Sequence, residues 1–535
     1  MQENPQAELF AAMARPDFYP HPVEGVEKRE THISCVFLTG SRVYKVKKAV
    51  DLGFLDFTGL ERRRYFCGQE LQLNRRLSQG VYLDVVAIRR LDSRFSLGEA
   101  GEVVEYAVCM RQLSDAATLG QRLRAGTLER GVCARLAGRL AKFYREAPAG
   151  AGIDRFGSRA MVGANCEENF TQILPFVPEV LDLRQFQIVR SATRAFLSRR
   201  LALFQRRVQA GRIRDGHGDL RTDHVYLVDG EIQVLDCIEF NDRFRYGDPA
   251  ADLAFLAMDL DAQGFSSWSR DLMAAFVRAS GDADIFILLD FYKCYRACVR
   301  CKVACLRLGQ GGLSAAARRA VAGEAGDYLA LAYRYAVQFT RPTLWVVCGM
   351  PAAGKSTVAR ALGRRLDVAL LRSDVVRKTL FDRRPQAPAV AAFGQGIYTP
   401  GAGALTYGRL FLEAQERLEK GHSVILDATF SDPRQRAEAL RLALDSDVNI
   451  LFVECFADDP VLRRRLAARG GRPSVSDARL EHFADLKARY TPLDEIPAEL
   501  LIRVNTDQPL EACLDRLLVQ DHRLLARETA AVLTR

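Results

Sequence analysis

The sequence has 535 residues, of which 48% are hydrophobic and 27% are charged, the balance of a globular chain that buries a core. This composition excludes disordered, collagenous and fibrous proteins, and the length predicts two or three domains. The 76 basic residues exceed the 66 acidic ones by ten, which could serve nucleic-acid or phosphate ligands, but arginine is dispersed and the charge alone identifies no ligand.

The sequence has no segment typical of a membrane or secreted protein. No run of 18 or more apolar residues occurs, so we expect no transmembrane helix and no membrane partner. The first ten residues, MQENPQAELF, have neither the basic nor the apolar region of a signal peptide. The thirteen cysteines follow no framework spacing, which is typical of reduced thiols. We therefore expect a cytoplasmic protein.

The first predicted elements are strands. Residues 31–50 predict two strands joined by a Gly-Ser turn, a helical segment follows at 60–77, and residues 81–91 and 103–113 predict two further strands. From about residue 130 the pattern becomes mainly helical. A small β-rich lobe followed by a larger helical lobe is the order of protein-kinase-like folds. The sequence therefore predicts an α+β bilobal domain over residues 1–337.

Two acidic blocks interrupt the helical lobe. Residues 217–224 read HGDLRTDH, and a second block begins at Asp236 and contains Gly247-Asp248-Pro249 followed by Asp252-Leu253. Between them, VYLVDGEIQVL predicts a hairpin with an Asp-Gly turn. The two blocks resemble the aminoglycoside phosphotransferase family, whose pattern is His-Gly-Asp-x4-Asn, then Asp, then Gly-Asp-Pro-x2-Asp-Leu.

The resemblance implies roles for three of these residues. Asp219 stands at the position of the catalytic base, and Asp236 stands at the position of a metal-binding aspartate. His224 replaces the metal-binding asparagine of the family pattern. Because imidazole is a softer ligand than Mg²⁺ prefers, His224 is the weaker of the two predicted metal ligands. A first domain that binds a ligand without turnover is the alternative.

The same resemblance extends to the small lobe. The segment RVYKVKK offers Lys45 or Lys47 as the phosphate-binding lysine, and spacing cannot separate them because both lie on one face of the strand. Glu70, in the helix that follows, could pair with that lysine. The alternative is a solvated strand edge and a surface glutamate. The sequence shows no glycine-rich G-x-G-x-x-G loop over the phosphates.

A cysteine cluster follows at residues 294–305, which read CYRACVRCKVAC. It contains the Cys-x3-Cys-x2-Cys spacing that radical enzymes use for an iron–sulfur cluster. The four cysteines also trace one face of a single helix over about 16 Å, too far for all of them to bind one metal. We therefore predict that they pack in the core. The seven histidines form no zinc spacing.

A domain boundary is predicted at residues 337–343, where a long helical stretch ends at Arg341-Pro342. Short strands and helices then alternate, which predicts a parallel α/β sheet with crossover helices over residues 343–535. The predicted strands are Leu344–Cys348, Val368–Leu371, Ser423–Leu426, Ile450–Cys455 and Leu500–Val504.

The first of these strands leads into GMPAAGKS at residues 349–356, the Gly-x4-Gly-Lys-Ser pattern of a phosphate-binding loop (P-loop). A strand precedes the loop and a helix follows it, as phosphate binding by backbone N–H groups requires. Lys355 would reach the β- and γ-phosphates of ATP, and Ser356 would bind Mg²⁺. The predicted ATP-binding residues are Gly349, Met350, Pro351, Ala352, Ala353, Gly354, Lys355, Ser356 and Thr357.

Further polar residues follow the later strands. Asp374 and Asp427 are expected at the carboxyl edge of the sheet, one to accept a proton from an attacking hydroxyl and the other to hold Mg²⁺ through water. The alternative for either is a helix N-cap. Arg465 and Arg469 lie four apart on an arginine-rich helix before a Gly-Gly-Arg-Pro loop. They could form a lid over the transferred phosphoryl group or a solvated basic face.

Residues 343–510 resemble the small P-loop kinases similar to gluconate kinase, chloramphenicol phosphotransferase, zeta toxins and the kinase part of polynucleotide kinase. The resemblance implies that Asp374 is the base and that Arg377 holds the acceptor. The segments FYPHPV and ETHISCVFLTGSRVYKVKK and the HGDL block also resemble a bacterial fusion family of these two domain types. That resemblance covers essentially the whole chain and implies ATP-dependent phosphotransfer.

The sequence thus predicts a two-domain kinase that uses ATP and Mg²⁺ and transfers phosphate to a hydroxyl group of a small molecule. One alternative is a P-loop ATPase that regulates a partner by hydrolysis, with a ligand-binding first domain. Another is a nucleic-acid 5′-end kinase, which the basic charge allows, although no aromatic and basic residues interleave near the P-loop.

Overall fold

The computed structural model describes residues 6–53, 55–309, 312–382, 395–468 and 479–524. The chain forms two compact units, one of Met1–Gly281 with Leu289–Tyr335 and the other of Asp282–Leu288 with Ala336–Arg535. No helix within these described ranges is long and apolar enough to cross a membrane.

The first unit begins with a six-stranded antiparallel sheet in the order β1-β2-β3-β6-β4-β5. The strands predicted from the sequence are confirmed. The edge strand β1 was not predicted, because all four of its residues are exposed and it shows no apolar alternation. The strands of this unit are β1 Glu27–Glu30, β2 Ser34–Leu38, β3 Arg42–Lys47, β4 Tyr82–Leu91, β5 Arg94–Ser96, β6 Glu102–Arg111, β7 Arg214–Asp215, β8 Val225–Val228, β9 Glu231–Val234 and β10 Tyr246–Gly247.

Helices dominate the rest of the first unit. Two short antiparallel strand pairs lie near the acidic blocks: β8-β9 lies between the two blocks, and β7-β10 joins the segment before the first block to Tyr246–Gly247 of the second. Asp229 and Gly230 both have positive φ at the β8-β9 turn, so the predicted Asp-Gly hairpin is confirmed. The helices are α1 Ala7–Met13, α2 Leu60–Asn74, α3 Leu119–Arg124, α4 Val132–Glu146, α5 Ala151–Asp154, α6 Arg159–Ile173, α7 Leu183–Arg199, α8 Leu201–Gln209, α9 Asp242–Arg245, α10 Pro249–Ala262, α11 Ser266–Ser280, α12 Ile285–Leu308 and α13 Ala315–Thr340.

The cysteine cluster lies within the helix α12, as its spacing predicted. Cys294, Cys298, Cys301 and Cys305 are all buried free thiols. They therefore pack as small apolar side chains, which confirms the prediction of core packing.

The second unit is built on a five-stranded sheet in the order β12-β13-β11-β14-β15, with every pair parallel. All five predicted strands are confirmed, with ends displaced by at most one residue. The strands are β11 Thr343–Cys348, β12 Ala369–Arg372, β13 Val424–Asp427, β14 Asn449–Phe456 and β15 Leu501–Asn505. The helices are α14 Lys355–Leu366, α15 Ser373–Leu380, α16 Pro400–Glu419, α17 Pro433–Asp445, α18 Asp459–Ala468, α19 Phe483–Arg489 and α20 Leu510–Leu524.

The core of this sheet follows from its parallel pairing. All six residues of β11 are buried, since helices cover both faces of a parallel sheet. The carboxyl ends of β11, β12 and β13 lie next to one another, because these strands are hydrogen-bonded neighbours with the same direction. The P-loop and the two predicted carboxylates follow these three ends and are thereby brought to one edge of the sheet.

Candidate active sites

In the first unit, Lys45 lies between two carboxylates. Its Nζ is 2.8 Å from Glu70 Oε1 and 2.7 Å from Asp236 Oδ1. Glu70 is buried on α2, whereas the Asp236 side chain is about half exposed. Burial lowers the pKa of Lys45, but the carboxylates of Asp236 and Glu70 more than offset this, so its pKa lies well above the usual value. Lys45 is therefore charged, and it lies beside the half-exposed Asp236 carboxylate.

Lys47, on the same face of β3, has a different environment. Its side chain is fully buried, and its Nζ is 2.7 Å from Glu70 Oε2 and bonded to Glu239 as well. Glu239 has no predicted role from the sequence, although it lies only three residues after Asp236. Lys47 thus neutralises two buried carboxylates, while Lys45 is the lysine that contacts Asp236.

Substituting each lysine should separate these two environments. We expect Lys45→Ala to weaken nucleotide binding by the first unit by roughly 10–100-fold, because a hydrogen bond to a charged group contributes about 1.5–3 kcal/mol. Lys47→Ala should instead lower the free energy of unfolding by about 3–5 kcal/mol, because it leaves Glu239 and Glu70 buried with less compensation. Denaturant unfolding and nucleotide titration of both variants test this. Equal unfolding midpoints for the two variants would contradict the distinction.

The predicted base Asp219 is held by an arginine two residues later. Arg221 Nε lies 3.0 Å from Asp219 Oδ1, and Arg221 Nη2 lies 3.2 Å from Oδ2. Burial raises the pKa of the Asp219 carboxyl, but the Arg221 guanidinium more than offsets this, so the pKa lies below its usual value. Asp219 is therefore ionised at neutral pH.

His224 joins Asp219 to Asp236. Its Nδ1 is 2.8 Å from the backbone carbonyl oxygen of Asp219, and its Nε2 is 3.0 Å from Arg221 Nη2. The same Nε2 lies 3.7 Å from Asp236 Oδ2. The structure thus brings Lys45, Asp219, His224 and Asp236 into one cluster, which spans the β-rich and helical parts of the first unit.

The loop that carries Asp219 is fixed by Asp252, the aspartate of the second block. Asp252 accepts hydrogen bonds from the backbone N–H groups of His217 at 2.7 Å and Gly218 at 3.0 Å, and from Tyr144 Oη at 3.2 Å. Arg296 of α12 donates to Asp252 and to the Gly218 carbonyl. Burial lowers the pKa of His217 to about 4, so this ring is neutral at pH 7.

In the second unit, the P-loop has the backbone conformation that phosphate binding needs. Gly349, Ala352 and Gly354 all have positive φ, and α14 begins at Lys355. Lys355 Nζ donates to the Met350 carbonyl at 2.8 Å, across the loop. A Cβ at Gly349 would lie 2.2 Å from the Cys455 carbonyl oxygen, so only glycine fits beside β14. The loop amides and the start of α14 form an anion-binding cradle.

An arginine that sequence reasoning missed joins the two predicted metal ligands of this unit. Arg372, the last residue of β12, donates from Nε to Asp427 Oδ2 at 3.0 Å and from Nη2 to Ser356 Oγ at 3.2 Å. Asp427 is buried at the end of β13. Arg372 thus bridges the Ser356 hydroxyl and the Asp427 carboxylate at the same edge of the sheet.

Asp374 lies in the first turn of α15, at the same edge of the sheet. Arg377 Nη1 is 3.3 Å from Asp374 Oδ1, and the Arg377 guanidinium stacks on the Tyr398 ring at 4.9 Å. Burial raises the pKa of the Asp374 carboxyl above its usual value, and Arg377 opposes this effect. Neither predicted carboxylate is a helix N-cap: Arg372 caps α15, and α17 is capped by a different aspartate.

The predicted lid arginines can be only partly placed. Arg465 of α18 donates to Thr506 Oγ1 at 2.9 Å and to the Thr506 carbonyl at 2.7 Å, and it lies 3.4 Å from the Ala352 carbonyl of the P-loop. Arg465 therefore lies next to the P-loop. Arg469 lies outside the described residues.

The donor atoms show which site suits Mg²⁺. Ser356 and Asp427 offer a hydroxyl and a carboxylate, the hard oxygen ligands that Mg²⁺ prefers. In the first unit Asp236 offers a carboxylate, but His224 offers a nitrogen, which fits Mg²⁺ less well. Among the described residues, no group of three His, Cys, Asp or Glu side chains could hold a metal ion. Water or phosphate oxygens would supply the remaining Mg²⁺ ligands at either site.

In comparisons with known proteins, two different family models match two parts of the chain. Residues 70–286 match the family model described as phosphotransferase enzyme family (APH), and residues 344–493 match an AAA domain model (AAA_33). The Mycobacterium tuberculosis H37Rv protein Rv2004c is 35% identical over 477 residues, which is 89% of this chain and 92% of the relative. The Mycobacterium bovis protein Mb2027c matches with the same identity and coverage. The chain belongs to the family of these mycobacterial proteins.

The chain therefore combines two kinase-type domains, and the predicted fusion is confirmed. The first domain is aminoglycoside phosphotransferase-like and the second is a P-loop kinase domain with a parallel five-stranded sheet.

Two solved structures match parts of the chain at low sequence identity. A choline/ethanolamine kinase family protein from Mesorhizobium loti covers 62% of this chain and 98% of its own, with 12% identity and a TM-score of 0.36. A gluconokinase from Sinorhizobium meliloti 1021 covers 35% of this chain and 95% of its own, with 16% identity and a TM-score of 0.26.

Proposed function

We propose that the chain is an ATP-dependent phosphotransferase with two nucleotide sites, each transferring the γ-phosphoryl group of ATP to a hydroxyl group of a small molecule. The observation that carries the proposal is the single edge of the second-domain sheet where the P-loop, Ser356, Asp427 and Asp374 meet. A phosphate cradle, a pair of oxygen ligands for a cation and a buried carboxylate are the parts that phosphoryl transfer needs.

In the second domain, the P-loop amides and Lys355 would hold the triphosphate. Ser356 and Asp427 would hold Mg²⁺, which neutralises charge on the phosphate oxygens when bound. Arg372 would have to release Ser356 at that point. Asp374 would accept the proton of the acceptor hydroxyl. The hydroxyl oxygen would form a bond to the γ-phosphorus as the bond between the γ-phosphorus and the ADP oxygen breaks. Arg377, stacked on Tyr398, would hold the acceptor beside Asp374.

In the first domain, the proposal gives corresponding roles to a different set of residues. Lys45, fixed by Glu70, would bind the phosphates, and Asp236 would bind the metal. Asp219 would accept the proton of the second acceptor. Two contacts support these roles. Lys45 lies close to Asp236, and Asp252 accepts a hydrogen bond from the Gly218 N–H, which fixes the loop of Asp219.

The role of Asp374 leads to a pH dependence. Because burial raises its pKa, Asp374 becomes protonated, and useless as a base, at a higher pH than an ordinary aspartate of pKa about 3.9. The acid limb of kcat/KM for the second domain should therefore lie above that value. Arg377→Gln removes a charge that lowers the pKa and should move the limb further up. A limb that stays in place in Arg377→Gln would contradict the assignment.

The proposed function is tested with the purified full-length chain, Mg²⁺ and γ-labelled ATP. The acceptor panel holds sugars, aminoglycosides, nucleosides and 5′-hydroxyl oligonucleotides. Lys355→Ala silences the second domain and Asp219→Ala the first, while the exposed residues Lys420 and Asp223 provide the matched control variants Lys420→Ala and Asp223→Ala.

Label on a small acceptor that is lost in one of the two site variants, and kept in both controls, would assign that reaction to one domain. Label only on oligonucleotides would favour the end-kinase alternative. Label released only as free phosphate, and lost in Lys355→Ala, would overturn the proposal in favour of a regulatory ATPase.

A further inference from the structure

Arg221 contacts Asp219, and the proposed reaction gives it no role. It lies on the loop between the predicted base and His224, and its side chain is only 18% exposed. Two of its three nitrogens, Nε and Nη2, contact the two carboxylate oxygens of Asp219 at 3.0 and 3.2 Å. Its position is therefore fixed beside the atoms that would react.

The hydrogen bonds of His224 determine which of its nitrogens carries the proton. Nδ1 faces the Asp219 backbone carbonyl at 2.8 Å and must donate, because a carbonyl oxygen only accepts. Nε2 faces Arg221 Nη2 at 3.0 Å and must accept, because a guanidinium only donates. Both ring nitrogens are thus used by the protein, and no lone pair remains for a metal while Arg221 keeps this position.

Nη1, the remaining nitrogen of Arg221, contacts neither Asp219 nor His224. Within the part of the chain that the structure describes, the two N–H groups of Nη1 make no hydrogen bond. A planar guanidinium with paired N–H donors matches the oxygens of a phosphoryl group. The nearby Asp236 and Lys45, which would hold the rest of the nucleotide, reach this cluster through the 3.7 Å contact of Asp236 with His224.

We propose that Arg221 binds the transferred phosphoryl group in the first domain through Nη1, and that it supplies the positive charge that a metal ion at residue 224 would otherwise supply. This inference rests on the proposed function of the first domain. The bonds that form and break are unchanged: the acceptor oxygen binds the γ-phosphorus, ADP leaves, and the proton passes to Asp219.

The test compares ADP with a non-hydrolysable ATP analogue, which differ by the γ-phosphoryl group. Both are titrated with Mg²⁺ into the full-length chain carrying Lys355→Ala, with and without Arg221→Gln. We expect Arg221→Gln to weaken analogue binding at least about 10-fold and ADP binding less than about 2-fold, since charge-assisted bonds to the γ-phosphoryl group are lost. Arg221→Lys should restore part of the difference, and Arg184→Gln, at an exposed helical position, should change neither affinity.

Equal losses for ADP and the analogue would mean that Arg221 only maintains the loop, and they would overturn the inference alone. Absence of nucleotide binding in the Lys355→Ala chain would overturn the proposed function of the first domain together with the inference.

A second measurement addresses the metal directly. Electron spin-echo spectra of Mn²⁺ bound with the analogue should show no coupling to the His224 imidazole. The spectra of the unsubstituted chain and of His224→Asn should therefore show the same nitrogen couplings. Such a coupling would place the metal on His224 and overturn the inference.

Discussion

Gly349→Ala is expected to abolish nucleotide binding by the second domain. The new Cβ would lie 2.2 Å from the Cys455 carbonyl oxygen, which is backbone of β14 and cannot turn away. The φ of Gly349, +127°, is also one that alanine adopts only with a strain of about 1–3 kcal/mol. The loop must therefore shift, and a shift of about 1 Å can cost roughly 10²-fold in a positioned site. Calorimetric titration with ADP should then detect one site fewer.

The matched control is Gly408→Ala. Gly408 is exposed in the interior of α16, and a Cβ there would meet no atom within 4 Å. Because alanine favours the helix over glycine, this variant should gain about 0.5–1 kcal/mol of stability and keep both nucleotide sites. Normal ADP binding in Gly349→Ala would show that the loop does not depend on its close approach to β14.

Asp252→Ala should have the second large effect, in the first domain. It leaves the backbone N–H groups of His217 and Gly218 without their acceptor and removes the carboxylate beside Arg296, which is buried. Breaking a buried ion pair by removing one partner costs about 3–5 kcal/mol. We therefore expect the unfolding free energy to fall by about this amount and Asp219-dependent transfer to be lost.

Denaturant unfolding and the labelled-ATP assay measure the two effects separately. Asp271→Ala, at an exposed position of α11, is the control and should change stability by less than about 0.5 kcal/mol. A stable Asp252→Ala variant with normal transfer would mean that the Asp219 loop is held by other contacts.

The parts that could be predicted from the sequence are those whose residues are contiguous. The P-loop is a single run with its own strand and helix, so its conformation follows from local chemistry. The five strands of the second domain are largely apolar runs between helices, and they were found for the same reason.

Contacts between distant segments could not be predicted in this way. Lys45 and Lys47 share a strand face, and only the packing of Glu239 and Asp236 against them separates their environments. Arg372 meets Ser356 because β12 and β11 flank β13, an order that the sequence does not contain. Arg221 had a local signal, since it lies two residues after Asp219, but its contact with the Asp219 carboxylate depends on how the loop folds.

The helix α12 links the core of the first domain to the loop that contains Asp219. One side of it carries the four buried cysteines, and the same helix carries Arg296, which bonds to the Gly218 carbonyl next to Asp219. Buried thiols do not react with alkylating reagents until the structure around them opens. The rate at which these cysteines are alkylated under native conditions should thus report how often the structure around α12, which supports the Asp219 loop, opens.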